Sequence, residues 1–427
     1  MRVGIIGLGK LGLGFSTFLL KNGHDVIGYD INQNRVDEIN AVTKNVDSEK
    51  GNSKIIKKAI KANKFNCSIN VRNLAEQCRV VVICVPLFLD ENYEPDLSNL
   101  ENAIDNLTKF LRKKVLIILE TTVPVGTTQQ KIVNQIEINR KWKVGTDFFV
   151  AFSPERVRIG RMHEDLLRYP KIIGASDSKS RRKAEIFFNR ILKKNSSKPK
   201  KLIMLNSLED AEYVKLAETT YRDVNLALAN EFLLDCFTKG INFKAVVDAA
   251  NSQPYSHIHD GGISIGGHCI PVYPHLLMST NKDFELPTKA RSINKNFYLK
   301  IFAESGLSQY KNKNILILGL SYRENVKEVH NSGAFEIYSY FEANNPATFV
   351  DDPLYSESEI SRLHLKPYTD KIEIQFDLVI IHTVHDNWPN LNRYAIKKDA
   401  IILDGRGYFK KQKISSQRVI NIFMNNK

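Results

Sequence analysis

The first thirty residues constrain the fold most. An apolar run, Arg-Val-Gly-Ile-Ile, leads into Gly7-Leu-Gly9-Lys-Leu11-Gly12, then into a helix-like apolar stretch ending at Asn22-Gly23 and a second run closing on Gly-Tyr-Asp30. The order reads strand, turn, helix, strand. Glycines at this spacing allow a tight turn, close backbone approach to a pyrophosphate and close helix packing, while the helix N-terminus offers unpaired N–H groups to phosphate oxygens. A purely structural glycine turn is the alternative. The acidic residue that closes the second strand favours dinucleotide binding through Gly7, Gly9, Leu11 and Gly12. Asp30 is expected to accept hydrogen bonds from ribose hydroxyls and to repel a 2′-phosphate, which selects NAD over NADP. Arg35 is open to two readings, against the adenine or as a solvated first-turn residue.

Apolar runs at 80–85, 115–119 and 148–151 follow, separated by stretches long enough for helices, as a parallel sheet with crossovers requires. Ligands of such sheets sit beyond the carboxyl ends of the strands. The site candidates are therefore Val85-Pro86, Glu120-Thr-Thr122-Val-Pro124 and Ser153-Pro-Glu155-Arg156.

At 427 residues the chain exceeds what one core supports. A polar stretch over 193–201 reads as a linker. Glu209 to Lys239 then carries no Gly or Pro and stops at Gly240, which predicts one long helix. Ala211, Val214, Ala217, Tyr221, Val224, Leu228 and Phe232 recur along it at three- and four-residue steps, an apolar stripe of the kind that packs on a neighbour. Pairing with a second copy is the expectation. Lys215, Thr219 and Arg222 share another face, where a solvated charge is the ordinary reading of the lysine. From Asn314 the α/β pattern restarts, with strands expected at 315–319, 348–350, 377–382 and 400–403 and a helix over 332–343. The expected fold class is α/β: two doubly wound Rossmann-like domains, 1–200 and 306–427, joined by a long central helix and a small helical middle domain, 201–305.

Gly266-Gly-His-Cys269-Ile-Pro271-Val-Tyr273-Pro274 sets one thiol in a glycine-flanked turn stiffened by two prolines. One reading is a tight turn with a small half-buried thiol. The other is a loop that presents Cys269 to a substrate carbon.

The formal charge is +14, yet the basic residues lie in separate groups at 54–64, 112–114, 193–201 and 410–413 rather than in one stripe. Solvated faces are expected, not nucleic acid, although a positive field attracts anionic nucleotides. The five cysteines have no metal-type spacing, so no metal is expected. Without a long apolar stretch or a cleavable leader, the expected location is cytoplasmic, with no membrane partner.

Gly7-x-Gly9-x-x-Gly12, Cys84-Val-Pro86, Glu120-Thr-Thr-Val-Pro-Val-Gly126, Phe152-Ser-Pro-Glu155-Arg, the Lys215 helix with Arg222-Asp-Val-Asn and Asn230-Glu231, Gly266-Gly-His-Cys-Ile-Pro271 and Ile317-Leu-Gly319-Leu-Ser-Tyr-Arg323 together resemble the UDP-glucose/GDP-mannose dehydrogenase family. The resemblance covers nearly the whole chain and is strongest to the branch that oxidises UDP-N-acetylhexosamines. It implies oxidation of a UDP-sugar C6 alcohol to the uronate with NAD, through a Cys269 thiohemiacetal and thioester. It further implies that Lys215 stabilises the alkoxide and later oxyanion, and that Glu155 and Thr122 hold the water or proton relay. Ile258, Gly262, Gly266, Tyr322 and Arg323 would contact the sugar nucleotide, with Glu155, Lys215 and Thr219 lining the same pocket.

Three positions depart from the family pattern. Tyr273 stands where an aspartate is usual four residues after the nucleophile, Thr219 where an asparagine follows the helix lysine, and His330 where an arginine often meets cofactor phosphate. With a reference pKa of about 10 a tyrosine carries no charge at neutral pH, which leaves water activation to Glu155. The alternatives are an altered-site homologue that stops at two-electron oxidation and a non-catalytic nucleotide-sugar-binding protein. Retention of Cys269, Lys215 and Glu155 together argues against the binder.

Overall fold

The computed structural model describes residues 1–43, 46, 51–158, 160–192, 202–388, 390–410 and 418–424. The linker expected at 193–201 and most of the basic group at 410–413 lie outside them. The chain divides into two compact units, the first of Met1–Glu218 with His275–Thr280, the second of Thr219–Pro274 with Asn281–Lys427.

The first unit is built on β1 (Arg2–Ile6), β2 (Asp25–Tyr29), β3 (Phe65–Ser68), β4 (Val80–Ile83), a short antiparallel hairpin of β5 (Phe88–Leu89) and β6 (Pro95–Asp96), β7 (Leu116–Leu119), β8 (Phe149–Phe152), β9 (Lys171–Ala175) and β10 (Leu202–Met204). Its eight-stranded sheet runs β10-β9-β8-β7-β4-β1-β2-β3. The order reverses between β1 and β4, which makes a doubly wound sheet. Helices cover both faces, so the strands are apolar throughout rather than alternating, and one core lies on each side of the sheet. The sheet is not wholly parallel as expected, because β8 and β9 are antiparallel. The segment between them, which carries the helix Met162–Arg168, folds back instead of crossing over, and β9 therefore starts at the edge where β8 ends.

The long helix forms over Leu208–Lys239, without interruption. Ala211 is buried, whereas Tyr221, Leu228 and Phe232 are 57%, 43% and 43% exposed. The apolar stripe is thus covered at its start and open further along.

In the second unit, helices Phe243–Ala250 and Glu285–Glu304 precede a five-stranded parallel sheet of β11 (Ile315–Leu318), β12 (Thr348–Asp351), β13 (Phe376–Ile381), β14 (Ile396–Asp404) and β15 (Arg418–Asn421), ordered β12-β11-β13-β14-β15. Its strands also bury both faces. Among the described residues no helix is long and apolar enough to cross a membrane. Residues Lys54, Lys57, Lys58, Lys61, Lys64, Arg112, Lys113 and Lys114 are exposed.

Candidate functional site

Gly7 adopts a φ of +87° at the end of β1, a region that costs an L side chain strain. The turn it makes is tight enough that a Cβ on Gly12 would meet Gly7 O at 1.9 Å. Gly9 differs: a Cβ there would have open space around it. It caps the helix Lys10–Lys21, which has no side-chain cap and no acidic residue in its first turn. An open glycine above uncapped N–H groups fits a pyrophosphate. Leu11 is half-buried against the core beneath. Asp30 follows β2, and its carboxylate accepts from Leu8 N (2.7 Å) and Asn32 N (3.0 Å). Arg35 stands beside this turn, its side chain 18% exposed. Its Nε donates to Leu8 O at 2.9 Å and it pairs with Glu38, so it braces the glycine turn. These residues fit NAD.

Around the same carboxyl edge, Pro86 is exposed and Thr122 buried, with neighbouring Thr121 tied by its hydroxyl to Val85 O at 2.6 Å. Glu155 is nearly buried. Its Oε1 accepts from Arg156 N (2.7 Å) and Val157 N (3.1 Å), and its Oε2 from Lys171 Nζ (3.1 Å). Lys171 also lies 2.9 Å from Glu120 Oε1. Lys171 was missed by sequence reasoning, and Glu120 was named without a role. The one available signal was a lysine opening the apolar run after Pro170. Burial pushes the Glu120 carboxyl up to about 7, against the pull of the adjacent ammonium. The two carboxylates raise the Lys171 pKa although burial opposes it. Lys215 is half-buried rather than solvated and belongs to the first unit, whereas buried Thr219, one turn on, belongs to the second.

In the second unit, Cys269 is exposed, while the other four cysteines are buried. Its loop is held from below. Gly267 has a φ of +99°, and a Cβ on it would strike the Tyr322 ring at 2.8 Å; a Cβ on Gly266 would meet Asn331 O at 2.4 Å. Gly267 N donates to His330 O (3.0 Å), and Asn331 Nδ2 donates to Gly267 O (3.1 Å). The His268 and His330 rings stack at 4.0 Å. His330, for which the resemblance implies a cofactor phosphate, stands beside the cysteine loop. Tyr273 opens the helix Tyr273–Thr280, and its N–H donates to Cys269 O at 2.9 Å. Arg323 Nε reaches Tyr322 Oη at 3.2 Å. Asn251 brackets Ile258 through both of its backbone groups, and Gly262 N donates to Asn230 Oδ1 at 3.0 Å. The structure therefore brings Gly266, Tyr322, Arg323 and His330 together around the thiol loop.

Arg406 is a further residue that sequence reasoning missed. Its guanidinium donates to His382 O (2.7 Å) and Ser264 O (2.8 Å), and burial lowers its pKa to about 10. A Cβ on Gly262 would meet its Nη1 at 2.5 Å. Among the described residues no group of His, Cys, Asp or Glu side chains is placed to hold a metal ion.

Comparison with known proteins covers the same ground. Residues 1–192 match the NAD binding domain of the UDP-glucose/GDP-mannose dehydrogenase family, 209–296 its central domain and 316–411 its UDP binding domain. The chain is 33% identical to a UDP-N-acetyl-D-mannosamine dehydrogenase of Pyrococcus horikoshii over 422 residues, 96% of each chain. It is 31% identical to one of Methanocaldococcus jannaschii, over 96% of this chain and 93% of that one. A solved structure of UDP-D-ManNAc dehydrogenase from P. horikoshii superposes with a TM-score of 0.86 at 30% identity, covering 99% of this chain and 100% of that one. With the glycine turn, both sheets and all three family parts in place, the chain belongs to the UDP-glucose/GDP-mannose dehydrogenase family and is an NAD-dependent dehydrogenase.

Proposed function

We propose that this protein oxidises the C6 alcohol of a UDP-N-acetylhexosamine to the uronate. The observation that carries the reading is the presentation of one exposed thiol, Cys269, on a loop braced by Tyr322 and Asn331, in a unit that includes the match to the family's UDP binding domain. The names of the P. horikoshii and M. jannaschii relatives support an N-acetylhexosamine substrate.

When bound, NAD supplies the acceptor for the hydrides that C6 must lose. The chain's own residues do the rest. Lys215 stabilises the alkoxide and the later oxyanion, a task for a positioned ammonium, and Thr219 donates one hydrogen bond beside it. The Cys269 thiolate adds to the aldehyde carbon, so the reactive carbonyl stays attached as a thiohemiacetal and then a thioester. Glu155 takes a proton from the water that releases the acid, with Thr122 holding that water. Gly7, Gly9, Leu11, Gly12, Asp30, Arg35, Pro86 and Thr122 hold the cofactor, and His330 its phosphate. Ile258, Gly262, Gly266, Tyr322 and Arg323 hold the sugar nucleotide. We retain the three-part division at 200 and 305, a cytoplasmic location, and a homodimer formed through the exposed part of the long helix.

A second reading, arrest after one hydride, draws on Tyr273 in place of a charged residue near the thiol. Counting NADH per sugar consumed with UDP-N-acetylmannosamine decides. Two supports full oxidation, one supports the early stop, and none with several UDP-sugars removes the proposal.

A further inference from the structure

Three ionisable side chains with almost no solvent meet at the carboxyl edge of the first sheet. Glu120 follows β7, Glu155 lies three residues past β8, and Lys171 opens β9. Continuing the antiparallel pairing of Phe152 with Gly174 outward sets Lys171 across from Glu155. The ammonium lies 2.9 Å from Glu120 Oε1 and 3.1 Å from Glu155 Oε2, and the three side chains are 7%, 0% and 9% exposed in the order Lys171, Glu120, Glu155. The other titratable group facing Glu120 is Cys84, after β4, which is fully buried with its thiol pushed up by desolvation and by both carboxylates.

The two carboxylates are not equivalent. Glu155 has three donors: two backbone N–H groups and the ammonium. Glu120 meets the ammonium and the Glu155 carboxyl, and neither of its buried oxygens accepts a well-aligned hydrogen bond. Two buried carboxylates against one cation leave an excess negative charge in a dry site. One proton removes it. The carboxylate with fewer donors and less solvent is the one that takes that proton up, and above its pKa of about 7 it stands ionised and ready to accept one.

We propose that Glu120 and Lys171 are positioning residues that form a proton sink behind Glu155, passing on the proton that Glu155 takes from the attacking water. The idea rests on the reading of Glu155 as the base. In the transfer Lys171 gives one N–H proton to Glu120 Oε1 and takes the Glu155 proton on Nζ. An ammonium, one carboxylate and one carboxylic acid stand on each side of the step, and no electrons change hands. Glu155 returns to its carboxylate form without admitting bulk water.

Glu120→Gln keeps size and burial but cannot take up a proton. Burial also raises Glu212 to about 7, so infrared titration of the substrate-free protein should show, in the wild type, a protonated-carboxyl carbonyl band near pH 7 that is larger by one carboxyl than the band of the variant. Bands of equal size in the wild type and Glu120→Gln at pH 6 overturn the proposal whatever the enzyme's substrate. In turnover, the wild-type kcat should fall as pH drops through about 7. The variant should lose that limb and about tenfold in kcat at high pH, with KM for NAD and for the sugar nucleotide within twofold. An unchanged limb in the variant also overturns it. Lys171→Arg should recover more kcat than Lys171→Met. Absence of any NADH from the wild type would instead remove the proposed oxidation, leaving the infrared result to decide on Glu120.

Discussion

The imidazole of His330 lies flat on that of His268, centroids 4.0 Å apart and planes 6° from parallel, immediately before Cys269. His268 Nε2 lies in turn 3.5 Å from Glu328 Oε2. Rings, carboxylate and the backbone bonds of Gly267 fix the loop, so the sulfur is the part left to react. Cys269→Ser should therefore abolish uronate formation, by on the order of a thousandfold or more, while NAD affinity measured by fluorescence stays as in the wild type. Unchanged turnover would rule out covalent catalysis by this sulfur.

Gly9 and Gly12 should separate binding from folding. A Cβ on Gly9 enters open space, whereas one on Gly12 meets Gly7 O at 1.9 Å. Gly9→Ala is expected to melt at the wild-type temperature yet raise the Kd for NAD at least about tenfold, a cost of about 1.4 kcal/mol. Gly12→Ala should lower the melting temperature or prevent folding. Calorimetry beside NAD titration checks both, and a Gly9→Ala protein with full NAD affinity would contradict the placement of the pyrophosphate.

Acid should weaken the second unit through His382. This ring is fully buried, with Nδ1 donating to Gly319 O at 2.9 Å and Nε2 2.7 Å from the Ser264 hydroxyl, which donates to it. Burial, helped by Arg406, lowers its pKa to about 3. The unfolded chain takes up a proton near the usual histidine value of about 6.5, while the folded one does not. Stability present above that value is lost as pH falls below it, by up to about 1.4 kcal/mol per pH unit for this one group. Urea unfolding at pH 7 and pH 5 should show the loss, and His382→Gln should make the difference smaller. Equal slopes in wild type and variant would show that the ring is protonated in the native state.

Tyr221, Leu228 and Phe232 leave an apolar strip open on the long helix. Burying a large side chain stabilises by roughly 1.5–3 kcal/mol, so Phe232→Glu at a dimer contact should shift the protein towards monomer at micromolar concentration. Light scattering reads the result. A wild-type monomer would remove the proposed contact.

The glycine turn and the long helix were legible because each is a local matter, fixed by spacing and by the absence of Gly and Pro. The apolar runs that became β4, β7, β8 and β11 were legible for the same reason, within a residue or two. The reversal at β9 was not, since Lys171-Ile-Ile-Gly-Ala has the composition of a strand running either way. That reversal delivers Lys171 to Glu155 and Glu120, so the ionic cluster was hidden with it. The stacking of His330 on His268 was hidden for a related reason: the two rings lie 62 residues apart in the chain, and only tertiary structure brings them together. Arg35 and Arg406 are both surface-type residues by composition, and each proved to serve backbone carbonyls instead.

Four of the five cysteine sulfurs lie inside the protein, and burial raises the thiols of Cys67, Cys78, Cys84 and Cys236. Towards a charged, water-soluble alkylating reagent the folded chain therefore behaves as though it had one cysteine. The packing that silences the rest makes Cys269 addressable in the unaltered protein, so a dye, a spin label or a mass tag can be set at that loop without first engineering the others away, and its rate of attachment reports whether the loop is covered.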